Sequence, residues 1–359
     1  MAVTQKDPVL FCVVMAGGAG TRFWPASTQK TPKQLLRFFG DRSLLQQSVD
    51  RARVLCPPER VLVVTSIDFC DAVRTQLPEL PHDNIIAEPL RRDTAAAVAL
   101  AALCVEQRAG RDAVMAILTA DHKIEPADVF ADDIRAAMAG ACAQPGSLWT
   151  LGIPPTFPST GFGYLELGAK TPVPGADAAA VVRFVEKPTL ERAEHYVRSG
   201  SFLWNSGMFV WRVGAILDEL ERCLPEHLTT LRPTVAANLA GLAEAFSALT
   251  RISIDYGVME KARDVRCVRA RFSWSDVGGF PALAEHLPQQ DDDNSARGRT
   301  VILDAFDNLV FCEDDTELVA LLGVEGLIVV RAGKRTLVMP KGRAEDVKKI
   351  VALLAEEDR

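Results

Sequence analysis

Three short runs constrain the fold most. "VLFCVVMA" (9–16), "RVLVVTS" (60–66) and "AVMAILTA" (113–120) are continuous apolar stretches rich in Val, Ile and Leu. A strand with one face in water alternates. A continuous run suits a strand covered on both faces, as in a parallel sheet with helices above and below. Between the runs lie helical candidates at 43–54, 68–77 and 93–108, the last reading "DTAAAVALAALCVEQR" with Asp93 and Thr94 as candidate N-caps. This alternation predicts a doubly wound α/β domain. The middle is more mixed: "VVRFVEKP" (181–188) and "LWNSGMFVWR" (203–212) read as strands, and "LERAEHYVRSG" (190–200) as a helix closed by Gly200. After about residue 284 the character changes. The polar stretch "EHLPQQDDDNSARGRT" (285–300) reads as a linker, and short β-like pieces follow, "TVILDAFDNLVFCE" and "LIVVRAGKRTLVMP", before a terminal helix over roughly 344–356. The expected division is a main domain over 1–284, a linker over 285–300 and a small β-rich domain over 301–359.

With 359 residues and 48% hydrophobic content, the chain is long enough for one large core and a smaller one. The net charge of -7 and the lack of any dense basic stretch argue against a nucleic-acid surface, so phosphate chemistry here must rest on a few placed cations. The start "MAVTQKDPVLFCVVMAGG" has no basic leader and does not read as a secretory signal. No window reaches the roughly 18 apolar residues of a membrane span. The eight cysteines form no CxxC, and Cys12, Cys104 and Cys267 lie in apolar runs as small core residues. A protein of the reducing cytoplasm is expected.

The first apolar run leads into "GGAGTRFWPASTQKTPKQLL" (17–36). A strand followed by Gly17, Gly18, Ala19 and Gly20 lets backbone approach a ligand closely and aim N–H groups at an anion. A Walker A loop needs Lys-Ser/Thr directly after its last glycine, and Thr21-Arg22 stands there instead. A dinucleotide fingerprint needs a third glycine where this chain has Phe23. The loop is of another kind, and Arg22 and Lys33 flanking its glycines suit a triphosphate. Glycines alone are equally compatible with a plain tight turn.

"MAGGAGTRFWPASTQKTPKQLL" resembles the signature of the sugar-1-phosphate nucleotidylyltransferases, and more narrowly that of the mannose-1-phosphate guanylyltransferase branch. Seven further stretches match that branch in order: "AEPLRRDTAAA", "LTADH", "STGFGYLE", "FVEKP", "WNSGMF", "SIDYGVMEK" and "FSWSDVGGF". The resemblance extends through "GLIVV" and "EDVKKIV" near the end. It implies a mixed, Rossmann-like sheet of the GT-A nucleotidyltransferase type with a small β-rich C-terminal domain, for which a β-helix is one form. The implied reaction joins GTP and α-D-mannose 1-phosphate into GDP-mannose and pyrophosphate, with Mg²⁺ as cofactor and a homodimer as the assembly. The chain stops soon after the β-rich region, so no appended isomerase module is expected.

The chemistry needs no general base, since a sugar phosphate is already anionic at neutral pH. It needs cations, a metal and backbone donors around two polyanions. None of the five histidines has an evident nucleophile partner, and His122 reads as local structure. Asp121 ends the third apolar run, where open α/β sheets place ligands, and suits Mg²⁺; a loop or capping aspartate is the plainer reading. By resemblance Asp276 is the second metal ligand, and Arg22 and Lys33 neutralise the triphosphate. Lys187 binds the phosphate of mannose 1-phosphate, while Glu186, Asn205, Gly163 and Asp255 serve the sugar. Ala16, Gly17, Gly18, Gly20, Thr21 and Thr94 join the nucleotide contacts. Glu88 is the candidate for guanine, because one carboxylate can accept from both N1–H and N2–H₂. Asp93 stands where the branch usually has Asn, and a capping role suits either residue. Trp24, Trp204 and Trp274 lie inside motifs and could equally be packing. Three rivals remain: the same transfer on another pair (a GDP-linked manno-heptose, or a UDP- or dTDP-hexose), an NAD-dependent oxidoreductase that fails at Phe23, and an inactive nucleotide-sugar sensor that should have lost a cation or acid this chain retains.

Overall fold

Each of the three apolar runs forms a strand buried along nearly its whole length: β1 (Leu10–Ala16), β2 (Val61–Ser66) and, after β3 (Ile85–Glu88), β4 (Val114–Thr119). The structure is a computed structural model that describes residues 8–18 and 20–358; Ala19 of the glycine loop and the first seven residues of the start read for a leader lie outside the described residues. The chain continues through the short β5 (Lys123–Glu125), β6 (Leu148–Ile153), β7 (Tyr164–Lys170), β8 (Ala178–Val185), β9 (Phe202–Arg212), β10 (Val265–Arg269) and the short β11 (Ser273–Ser275). Among the described residues, nine of these strands make one sheet in the order β3-β2-β1-β4-β9-β6-β10-β8-β7. The pairings β2–β3, β1–β2 and β1–β4 are parallel, with Val14 opposite both Val63 and Leu118, whereas β9 runs antiparallel to β4 and β6. The sheet is mixed, as the resemblance implies.

Continuous apolar strands need cover on both faces. The helix Thr94–Ala109 supplies much of it, with every side chain from Ala95 to Val105 buried. Its alanines permit close approach to the sheet. Asp93 caps it, its carboxylate accepting from the Thr94 N–H, and does so at a φ of 67°, a conformation that costs an L-residue about 1–3 kcal/mol. The helix Leu190–Ser199 ends at Gly200 in the left-handed conformation, as its sequence predicts.

The chain divides into two compact units. The first comprises the residues up to Gly17, Ser48–Thr119 and Ile124–Trp274; the second comprises Gly18–Gln47, Ala120–Lys123 and the residues from Ser275 onward. The glycine loop and the C-terminal region thus share a unit. Within the second unit, β12 (Ser295–Arg297), β14 (Leu309–Cys312) and β16 (Leu327–Ala332) pair in parallel, as do β13 (Arg299–Leu303) and β15 (Leu318–Leu322); β17 (Arg335–Pro340) returns antiparallel to β16. Two stacked sets of parallel rungs are the mark of a β-helix. The polar stretch 285–300 holds β12, and its Asn294 is buried, donating to the Ala305 carbonyl and accepting from the Asn308 amide at 3.0 Å. Those asparagines satisfy buried corner backbone, which composition alone cannot distinguish from a solvated linker. The terminal helical region is shorter than its sequence suggests, with the α-helix itself over Val347–Leu353.

Candidate functional site

Three polar residues are held by neighbours that share one core. Phe23 follows Arg22, Val277 follows Asp276 and Val347 precedes Lys348; their exposures are 1%, 0% and 0%, and all three lie in the second unit's hydrophobic cluster with Phe38, Phe280 and Phe311. Phe23 packs its ring 4.8 Å from Phe38 and 5.0 Å from Phe280, which explains why no third glycine stands there. Burying each anchor fixes the polar neighbour next to it.

The loop is drawn tight by its own lysine. Gly20 has φ 62°, and a Cβ there would meet the Lys33 Cβ at 2.5 Å, so glycine is needed for both conformation and space. Gln34 donates to the Gly18 carbonyl at 3.1 Å and the Ser27 hydroxyl to the Gly20 carbonyl at 2.5 Å. Lys33 is buried, and its Nζ donates to Asp121 Oδ2 at 3.0 Å and to the Asp276 main-chain carbonyl at 2.5 Å. Gly20, Thr21, Arg22, Lys33, Asp121, His122, Asp276, Gly278 and Lys348 line one cavity of about 310 Å³. The loop, the lysine and the two distant aspartates therefore converge, as the sequence predicts.

The acids of this cavity are shifted in opposite directions. Burial works to raise the Asp121 carboxyl, but the Lys33 ammonium and His122 outweigh it and hold Asp121 below its ordinary value. Asp276 is pushed above its ordinary value, chiefly by burial and then by Asp121, against the pull of Lys33. Two neighbouring oxygen donors whose charges oppose each other suit a hard divalent cation. Among the described residues no group of three or more His, Cys, Asp or Glu could hold a metal. Two carboxylates are a donor set of the size taken by Mg²⁺, which completes its shell with phosphate oxygens and water. Arg22 stands at the rim, its Nη1 donating to the Gly278 carbonyl at 3.3 Å.

The first unit holds the other candidates. Asn205 receives a backbone tie to Gly163, its N–H donating to that carbonyl at 2.8 Å, and its Nδ2 donates to Asp255 Oδ1 at 3.0 Å. Lys187 Nζ lies 3.2 Å from Glu186 Oε1, and the lysine has a left-handed φ of 46°. A Cβ on Gly163 would collide with Glu186 Oε2, so this glycine makes room for that carboxylate. Burial and the nearby Glu186 push Asp255 up to about 7. The five residues named for the sugar phosphate thus form one cluster. Trp204 and Trp274 pack with Phe162 beside it, at 5.0 and 5.2 Å between centroids. Trp24 packs in the second unit's core, its indole donating to the Asp358 carbonyl at 2.7 Å.

Glu88, at the end of β3, is buried and raised to about 7, chiefly by burial and then by Asp93. Its Oε2 lies 3.4 Å from where a Cβ on Gly17 would sit, which places it beside the end of β1. The Thr94 hydroxyl accepts from the Ile254 N–H at 2.8 Å, next to Asp255. Sequence reasoning assigned no role to Gln34, Ser27, Phe162 or Lys348. Gln34 stood in the quoted "PKQ" and could have been found as the loop's tether; Lys348 carries no local signal.

A nucleotidyl transferase family model matches residues 11–292, and a model described as a MannoseP isomerase/GMP-like beta-helix domain matches residues 298–354. The chain is 39% identical to a Klebsiella pneumoniae mannose-1-phosphate guanylyltransferase, over 98% of this chain and 75% of that one. An Escherichia coli protein of the same name shows the same identity and coverage. Among solved structures, a Thermus thermophilus protein titled mannose-1-phosphate geranyltransferase superposes with a TM-score of 0.86 at 36% identity, covering 96% of this chain and 98% of that one.

Proposed function

The chain belongs to the mannose-1-phosphate guanylyltransferase family of nucleotidyl transferases, and from that premise we propose that it transfers GMP from GTP to α-D-mannose 1-phosphate, releasing pyrophosphate. The observation that carries this reading is Lys33, bonded at once to Asp121 and to the Asp276 backbone in a cavity lined by the glycine loop.

A phosphate oxygen of the sugar phosphate forms the new bond to the α-phosphorus. The bond from the α-phosphorus to the bridging oxygen breaks, and its electron pair leaves on pyrophosphate. No proton need be removed, so positioning and charge neutralisation supply the rate. Lys33 and Arg22 neutralise the triphosphate, and Ala16, Gly17, Gly18, Gly20 and Thr21 give it backbone donors. Asp121 and Asp276 would hold Mg²⁺, which supplies charge neutralisation to the phosphates when bound. Lys187 pairs with the phosphate of mannose 1-phosphate, while Glu186, Asn205, Asp255 and the backbone at Gly163 hold its hydroxyls. Glu88, once ionised, accepts from the guanine edge, and Asp93 and Thr94 keep the adjoining helix start in place.

The reading includes a catalytic domain over 1–284, a connection over 285–300 and a β-rich domain over 301–359, supported by family models that meet between 292 and 298. It includes a homodimer, supported by Val301, Leu303, Leu318 and Leu322, exposed on β13 and β15. A cytoplasmic location is supported by eight free cysteines; among the described residues no helix is long and apolar enough to cross a membrane. The test is pyrophosphate release from GTP, ATP, UTP and dTTP, each with mannose, glucose or fucose 1-phosphate. GTP with mannose 1-phosphate is expected to be fastest. Faster release from another pair would replace this substrate assignment, and release from none would end the reading.

A further inference from the structure

One residue lining the cavity of Lys33, Asp121 and Asp276 belongs to the β-helix region: Lys348, on the helix Val347–Leu353. Val347 beside it is fully buried in the core that also holds Phe23 and Val277, so the lysine's backbone is fixed with respect to the loop. Lys348 Nζ lies 3.1 Å from Glu345 Oε2, and Arg22 Nε lies 3.3 Å from the same oxygen. One carboxylate oxygen thus stands between two cations drawn from opposite ends of the sequence. These pairs are largely exposed, and exposed ion pairs hold weakly. A polyphosphate offers more charge and several oxygens in place of one. The sugar phosphate has a lysine of its own in Lys187, so the surplus cations beside the acid pair fall to the nucleotide. Charge builds on the departing pyrophosphate during transfer, which is where extra cations help most.

We propose that Lys348, together with Arg22, binds the β- and γ-phosphates of the nucleoside triphosphate and then the departing pyrophosphate, with Glu345 as the internal counter-ion that the phosphates displace. The proposal rests on the nucleotidyl-transfer reading above. It makes the β-helix region a direct contributor to substrate binding.

The test uses the full chain with Mg²⁺ and inorganic pyrophosphate, followed by calorimetry, alongside steady-state turnover. Lys348→Gln should raise the dissociation constant for pyrophosphate about tenfold, as loss of a charge-assisted contact does, and Lys348→Arg should largely restore it. Glu345→Gln should tighten pyrophosphate binding by about two- to fivefold, since the competing charge is gone. In all three variants the KM for mannose 1-phosphate should stay unchanged. The proposal is overturned if Lys348→Gln binds pyrophosphate like the wild type, if Glu345→Gln binds it no better, or if the KM for mannose 1-phosphate rises in step. A wild-type protein that neither binds pyrophosphate nor releases it from GTP would fail the functional reading as well. A wild type that does both while Lys348→Gln matches it would fail this inference alone.

Discussion

Asp121 and Asp255 are the same residue type, and burial raises the pKa of both, yet they end shifted in opposite directions. For Asp121 the Lys33 ammonium at 3.0 Å and His122 outweigh burial, and the carboxyl sits below its ordinary value. For Asp255 burial is joined by the negative Glu186, while the Asn205 amide only partly compensates, and the carboxyl rises to about 7. The partner, not the degree of burial, decides the charge. An acid kept ionised beside another acid suits a cation and phosphates. An acid kept close to neutral suits sugar hydroxyls, because it can both donate and accept.

The largest test of that contrast is Asp121→Asn, which should lower kcat by about two to three orders of magnitude while leaving the KM for mannose 1-phosphate near its wild-type value. A variant that instead raised that KM would move Asp121 to the sugar's side. Lys187→Ala should do the reverse, raising the KM for mannose 1-phosphate about tenfold or more with a smaller change in kcat. Steady-state kinetics on the two variants together would show whether the roles separate.

Next in size is a pH effect on the protein without ligands. The folded chain keeps a proton on Asp255 up to about pH 7, whereas the unfolded chain releases it near the ordinary value of 3.8. The unfolded state therefore binds fewer protons across that window, and stability falls as pH rises through it. Thermal melts from pH 4 to 8 should show this decline, and Asp255→Asn should flatten part of it. A decline of unchanged steepness in the variant would mean that Asp255 ionises normally. The smallest effect concerns Glu88, which burial first and Asp93 second raise to about 7. A carboxylate must be ionised to accept from both guanine N–H groups, so GTP affinity should strengthen as pH rises through about 7. Asp93→Asn should move that midpoint down only slightly, since burial is the greater cause; titrating GTP affinity against pH would read it.

Much of this was legible in the chain before its fold. The runs at 9–16, 60–66 and 113–120 announced strands covered on both faces, because continuous Val, Ile and Leu leave no polar face. The motif order singled out Lys33, Asp121 and Asp276, which the fold brings to one cavity. Other facts had no local sign. Asn294 looks like a linker residue until its burial and its bond from the Asn308 amide are seen. Lys348 is one of two adjacent lysines on a short helix, and only Val347 packing beside Phe23 and Val277 gives it a cavity to face. The tie from the Ile254 N–H to the Thr94 hydroxyl has no local pattern to announce it. Local pattern reports which residues can act, and tertiary packing decides which of them meet.

The most direct test of the central claim, that Asp121 and Asp276 hold a metal on the nucleotide, is calorimetry of GTP binding with and without Mg²⁺, on the wild type and on Asp276→Asn. Mg²⁺ is expected to strengthen binding to the wild type, and this increment should be lost in the variant, with metal-free binding little changed. An equal increment in both proteins would contradict the claim.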